Sequence, residues 1–225
     1  MSLVLAFDCA VSGLGVAVVR DGTRLASHRE EGRDQAAQLL PAIALVLQEA
    51  GVGRRDLSLI AVTIGPGSFT GVRVGLAAAR GLAVALGVPL AGIATTTTLL
   101  AQAERHDRLV VAAIDSRLGD WFCALSEVGG DGESAPFLVS TAELARRLKD
   151  RPSLVVGPQA ETLVPSLEGA IAQTALPDPV AIARLALAEG IEAWRARNRT
   201  DGLPRPLYLR GVNVTSPDGT RRTVD

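Results

Sequence analysis

The sequence predicts an α/β fold of two duplicated lobes, and three observations carry that prediction. An order of strand, strand, strand, helix, strand, helix can be read twice along the chain. Each reading opens on an apolar run that ends in aspartate, Leu3–Asp8 and then Leu109–Asp115. Glycine and proline gather at one strand-to-helix corner, Gly65-Pro66-Gly67-Ser68-Phe69-Thr70-Gly71-Val72-Arg73-Val74-Gly75, where a tight turn needs unusual dihedrals.

The elements follow in order. Leu3–Asp8 is a buried strand. Leu14–Arg20 and Thr23–Arg29 form a hairpin, because Asp21-Gly22 is a strong two-residue turn signal. Gln35–Ala50 is a helix with Leu39, Ile43, Val46, Leu47 and Ala50 near one face, closed by Gly51. Ser58–Ile64 is a strand, and Val72–Leu86 is a helix stopped by Gly87 and Pro89. Leu90–Ala94 is a short strand, after which Thr95 caps a helix to about Arg105. The pattern then restarts. Leu109–Asp115 is a strand; Trp121–Val128 and Phe137–Val139 make a hairpin around Gly129-Gly130-Asp131-Gly132. Ser140-Thr141-Ala142-Glu143 is a capping box that opens a helix to Lys149. Ser153–Val156 is a strand, and Asp178-Pro179 caps a last helix, Val180–Arg195. Residues 198–225 are rich in Gly, Pro, Arg and Thr, with the last ten or so loose. A boundary near residues 102–108 divides a first lobe, 1–104, from a smaller second lobe, 105–225, with a cleft between them.

Composition narrows the function. A net charge of −1 provides no global field toward nucleic acid or an anionic membrane. The longest apolar stretches are broken by Arg or Gly and fall short of a membrane span. Aromatics are 3% of the chain, so Ala, Val, Leu and Ile must build the core. Cys9 and Cys123 have neither metal spacing nor a disulfide framework, which fits buried thiols in a reducing cytoplasm. The start of the chain has no signal-like segment.

The chemical candidates are few. The glycine corner could aim backbone N–H groups of Gly65, Gly67, Ser68 and Thr70 at an anion. It equally fits a compact turn holding helix against sheet. Asp8 and Asp115, each at a strand end, are placed for a ligand at the mouth of a sheet; each also fits a residue that stops its strand. The cluster Asp115-Ser116-Arg117 with Asp120 is either a ligand rim or a solvated hairpin end. His28 and His106 are the only histidines and lie far apart, so no metal site and no base for Ser68 is evident. The helix from Val72 to Leu86 is apolar nearly all round, and Gln35–Ala50 carries Leu40, Ala44 and Leu45 beyond its core stripe. A helix apolar on every face must be covered on every face. Either these two helices cover each other, or they form a protein–protein surface. The expected anchors of such a surface are Leu40, Ile43, Leu47, Val72, Val74, Leu76 and Leu82.

The run from Gly65 to Ala83 resembles the signature of the TsaB (YeaZ) family, which is required for threonylcarbamoyladenosine in tRNA. Leu3–Asp8, Gln38-Leu39-Leu40-Pro41, the segment from Ala113 to Asp120 and Pro206-Leu207-Tyr208-Leu209-Arg210 are similar too. The resemblance implies an actin-like (ASKHA) fold of two lobes, each with a mixed sheet and flanking helices. It implies a non-catalytic subunit that pairs, through Gln35–Ala50 and Val72–Leu86, with a TsaD-like transferase. A TsaE-like ATPase joins the assembly, tRNA is met only through the complex, and the subunit self-associates when alone. No cofactor is required by that role, although ATP or ADP in the cleft is compatible with the fold. Two departures weaken nucleotide binding. The pair Asp8-Cys9 stands where many members have Asp-Thr, and Gln35 stands where many have His. The alternative is an ATP-dependent kinase or ATPase of the same fold, with Asp8 and Asp115 organising Mg²⁺ and phosphates.

Overall fold

The computed structural model describes residues 1–32, 34–104, 108–128, 132–210, 212–215 and 221–224, the last two stretches as backbone only. His106, the turn residues Gly129, Gly130 and Asp131, and part of the tail expected to be loose lie outside them. The first sheet consists of β1 (Leu3–Asp8), β2 (Leu14–Arg20), β3 (Thr23–Glu30), β4 (Leu59–Thr63) and β5 (Leu90–Ile93), in the spatial order β3-β2-β1-β4-β5. The second consists of β6 (Leu109–Asp115), β7 (Asp120–Ser126), β8 (Phe137–Ser140), β9 (Ser153–Gly157) and β10 (Ala170–Thr174), in the order β10-β9-β6-β7-β8. Counted from its own first strand, the second sheet repeats the first. In both, three antiparallel strands are extended by two parallel ones. This duplicated mixed sheet is the expected actin-like architecture.

The helices are α1 (Gln35–Glu49), α2 (Phe69–Leu86), α3 (Thr95–Gln102), α4 (Thr141–Arg147), α5 (Ala160–Leu163), α6 (Pro179–Glu189) and α7 (Ile191–Thr200). Local chemistry explains several boundaries. Asp21 and Gly22 both have positive φ, 47° and 82°, so the β2–β3 hairpin turns where the sequence places it. Helix α2 starts three residues before the expected Val72, because the Ser68 hydroxyl accepts the Gly71 N–H and caps it. Its other end is a left-handed Gly87. The expected single helix Val180–Arg195 is instead α6 and α7, broken at Gly190 with φ 93°. Strand β10 and helix α5 were not foreseen, and the tail pairs Val212–Thr215 with Arg221–Val224.

Strands β1 and β4 are buried along their whole length, so the first sheet needs a cover on each face. On one face Leu5, Phe7, Val16, Val18, Ile60 and Val62 join Leu39, Ile43 and Val46 of α1 and Val72, Leu76 and Ala79 of α2. On the other, Val4, Ala6, Ala17, Val19, Leu59 and Ala61 join Ile182, Ala183 and Ala186 of α6 and Trp194 of α7. No first-half helix was left for that task, since α3 packs on β6 and β7 of the second sheet. Residues 179–200, placed by the sequence in the 105–225 lobe, therefore cover the first sheet. Among the described residues α2 alone is long and apolar enough to cross a membrane, with a mean hydropathy of 1.4. Its buried row is the core contact just described.

Candidate functional site

Two features stand beside the first sheet: a polar cleft and an apolar face. The cleft has a volume of about 650 Å³. Ser12, Gly13, Glu31 and Gln35 line it from the first lobe, together with Gly67, Ser68 and Thr70 of the glycine corner. Asp115, Ser116 and Arg117 line it from the second.

Ser68 spends its polar groups inside the glycine corner. The Ser68 N–H donates to the Ala10 carbonyl at 2.6 Å, and the Ser68 hydroxyl is the helix cap. A Cβ on Gly67 would stand 2.2 Å from the Ala10 carbonyl oxygen, and one on Gly71 would stand 1.9 Å from that of Cys9. These glycines let the corner lie flat on the β1–β2 turn. Gly65 does not line the cleft; its φ is 100°, and a Cβ there would meet the Leu207 carbonyl oxygen at 3.0 Å. The geometry is that of a compact turn.

Asp8 is also absent from the cleft wall, being fully buried. Its Oδ1 accepts from the Thr63 hydroxyl at 2.5 Å and from the Ala10 N–H at 3.0 Å. Its Oδ2 has no partner among the described residues. Burial raises its pKa, while the Thr63 and Ala10 hydrogen bonds and the Arg29 charge oppose that rise. Asp115 does face the cleft, but its Oδ1 accepts the Arg117 N–H at 2.7 Å and so caps its own turn. Asp120 pairs with Arg210 instead. A phosphate in the cleft would meet Glu31 and Asp115 together with Arg117, while Asp8 is sealed away and the Ser68 N–H is already bonded. Among the described residues, no three His, Cys, Asp or Glu side chains converge as a metal site.

The apolar face is formed by the outward rows of α1 and α2. On α1, Leu40 is 58% exposed, and Pro41, Ala44 and Leu45 are exposed beside it. On α2, Ala77, Gly81 and Ala85 are exposed in steps of four, with Val84 at 73%. Val74 and Leu82 are half-buried at the edge of the core. Four expected anchors are elsewhere: Ile43, Leu47, Val72 and Leu76 are buried in the chain's own core. An all-round apolar helix does not announce which row turns inward. Leu45, already set apart from the core stripe of α1, and Ala77, Gly81 and Val84, which were not among the expected anchors, carry the same 3.6-residue period about a third of a turn away.

Gly81 is informative. It sits inside a helix, where glycine costs about 1 kcal/mol relative to alanine. A Cβ there would meet nothing within 4 Å, so nothing within the described chain requires its absence.

A family model described as TsaD, tRNA N6-adenosine threonylcarbamoyltransferase, matches residues 8–145. The chain is 37% identical over 123 residues to the Escherichia coli K12 tRNA threonylcarbamoyladenosine biosynthesis protein TsaB, covering 54% of this chain and 53% of that protein. It thus spans about half the length of that relative. It is 30% identical over 161 residues to the Bacillus subtilis 168 protein of the same name, covering 68% and 70%. Among solved structures, YeaZ from Pseudomonas aeruginosa superposes with a TM-score of 0.74 at 27% identity, over 93% of this chain and all of that one. With a family model matched over more than half its length, and a relative covered beyond two thirds, the chain belongs to the TsaB (YeaZ) family within the wider TsaD-type family.

Proposed function

We propose that this protein is a subunit of the machinery that makes threonylcarbamoyladenosine in tRNA, and that it acts by pairing with a TsaD-type transferase. The named relatives support the pathway. The observation that carries the pairing is the apolar α1–α2 face, with Gly81 open at its centre. Leu40, Leu45 and Val84 are uncovered in the single chain, and burying each contributes about 1.5–3 kcal/mol. The small row Ala77, Gly81 and Ala85 lets a partner helix approach closely. The anchors of this surface are Leu40, Leu45, Gly81 and Val84, with Val74 and Leu82 at its edge. On this reading the subunit has no reaction of its own, works in the cytoplasm and meets tRNA through the complex. It recruits a TsaE-type ATPase only in that assembly, and it forms a homodimer through the same face when alone.

Titration of a purified TsaD-type transferase into this protein by calorimetry tests the proposal. A complex at micromolar concentration or tighter is expected, lost in Leu40→Asp. No heat of binding and no co-elution would overturn it. The kinase alternative makes a different prediction, ATP turnover by the chain alone that is lost in Asp8→Asn.

A further inference from the structure

Residues 203–210 follow α7 and belong to no helix or strand. They are fastened to the first lobe at three points. Nε and Nη2 of Arg80 both donate to the Pro204 carbonyl, Nε at 3.1 Å. The Leu207 N–H donates to the Ile64 carbonyl at 2.8 Å, where β4 ends. Nε of Arg73 donates to the Tyr208 hydroxyl at 2.9 Å, and the Tyr208 ring lies 5.5 Å from that of Phe69. Arg73 and Arg80 are seven residues apart on α2, two turns along one row. Two residues beyond Tyr208, Arg210 forms an ion pair with Asp120, the first residue of β7 in the second lobe. Both side chains are less than a third exposed, at 28% and 31%. Between these fastenings lies an apolar cavity of about 370 Å³, lined by Pro66 and Phe69 from the first lobe, Leu118 and Phe122 from the second, and Leu207 and Tyr208 from the segment itself.

We propose that residues 203–210 are a latch between the lobes, closed by the Arg210–Asp120 pair. The chain passes between the lobes before β6 and before α6, and α3 packs on β6 and β7; the latch is a further tie, made by one side-chain ion pair at the far end of the β6–β7 turn. Asp120 closes the β6–β7 turn, whose Ser116 N–H donates to the Asp120 carbonyl at 2.9 Å. That turn supplies Ser116 and Arg117 to the cleft wall. Holding Asp120 therefore holds the wall, and the latch sets the width of the cleft. Release lets the lobes move as hinged bodies.

The test uses the full chain with spin labels at Arg24→Cys and Glu168→Cys, exposed positions on opposite lobes. The native thiols Cys9 and Cys123 are buried. With the latch intact the distance distribution between labels is narrow. Arg210→Ala should widen it with no change in far-ultraviolet circular dichroism. The exchanged pair, Asp120→Arg with Arg210→Asp, should restore the narrow distribution. An unchanged distribution in Arg210→Ala would overturn the latch, as would an exchanged pair as wide as the single variant. No transferase enters the measurement, so its failure leaves the pairing proposal standing.

Discussion

The two lobes share one topology but not one exterior. Helices α1 and α2 follow the third and fourth strands of the first sheet; α4 and α5 follow the corresponding strands of the second. The first pair has 15 and 18 residues, the second only seven and four. The outer side of α4 is polar and paired within itself. Glu143 bridges Arg146 and Arg147, and the Arg147 guanidinium lies 5.0 Å from the Phe137 ring centroid. The outer side shared by α1 and α2 presents Leu40, Pro41, Ala44 and Leu45 with Ala77, Gly81, Val84 and Ala85. A helix like α4 is complete in water. The long pair is complete only on its inner row. Duplication thus accounts for the sheet order, and the outward rows are where the two lobes part.

Four substitutions would break or sharpen this contrast. The largest effect is expected from the inner row: Leu76→Ala should cost about 2–5 kcal/mol of folding stability in urea titrations. Arg at Leu76 or Val72 is therefore a test of the core, since both are buried there; it cannot report on pairing alone. Next comes the outer row. Gly81→Leu should leave the melting temperature unchanged or raise it, because helix propensity improves by about 1 kcal/mol. The same change should weaken association with the transferase at least tenfold by calorimetry. Loss of stability together with binding would place Gly81 in the fold and remove it from the interface.

A smaller effect concerns Asp8, whose pKa burial raises. The folded state then holds this proton more tightly than the unfolded chain, so its stability contribution falls as pH rises through the folded pKa. Asp8→Asn should equal or exceed the wild type in stability at neutral pH, with the advantage vanishing in acid; chemical unfolding at several pH values measures it. Glu143→Ala should have the least effect. The Arg147 hydrogen bond, desolvation notwithstanding, holds the Glu143 carboxyl below its usual range. Its contribution is present above the ordinary glutamate pKa and is lost as pH falls through the folded value. Association with the transferase should not change.

The sheets were legible because their signals are local. Apolar runs such as Leu3–Asp8 and Leu59–Thr63 read directly as strands, and Asp21-Gly22 and Gly87 mark a turn and a helix stop. The edge strand Ala170–Thr174 was hidden: five residues of mixed polarity, none of them buried, give neither alternation nor a continuous apolar run. The break at Gly190 was hidden for another reason, since a glycine between two helical stretches is compatible with continuing one helix. On α1 and α2, three of the seven expected anchors (Leu40, Val74 and Leu82) keep exposed or half-buried surface, and the other four lie in the core. Ile43 and Leu40 are equally apolar; only the position of the sheet decides which is core. The sequence leaves Asp8 open between a ligand and a residue that stops its strand, because a strand-end carboxylate can turn down into the protein as readily as out; Thr63 on the neighbouring strand accounts for the inward turn.

The return of α6 and α7 to the first sheet has a consequence for biogenesis. During synthesis, strands β1, β2 and β4 emerge long before residues 179–200 do. Val4, Ala6, Ala17 and Leu59 must wait, wet and available to chaperones, until residues 179–200 have been translated. A fragment ending at the boundary between the halves would contain every strand of the first sheet and still leave that face bare.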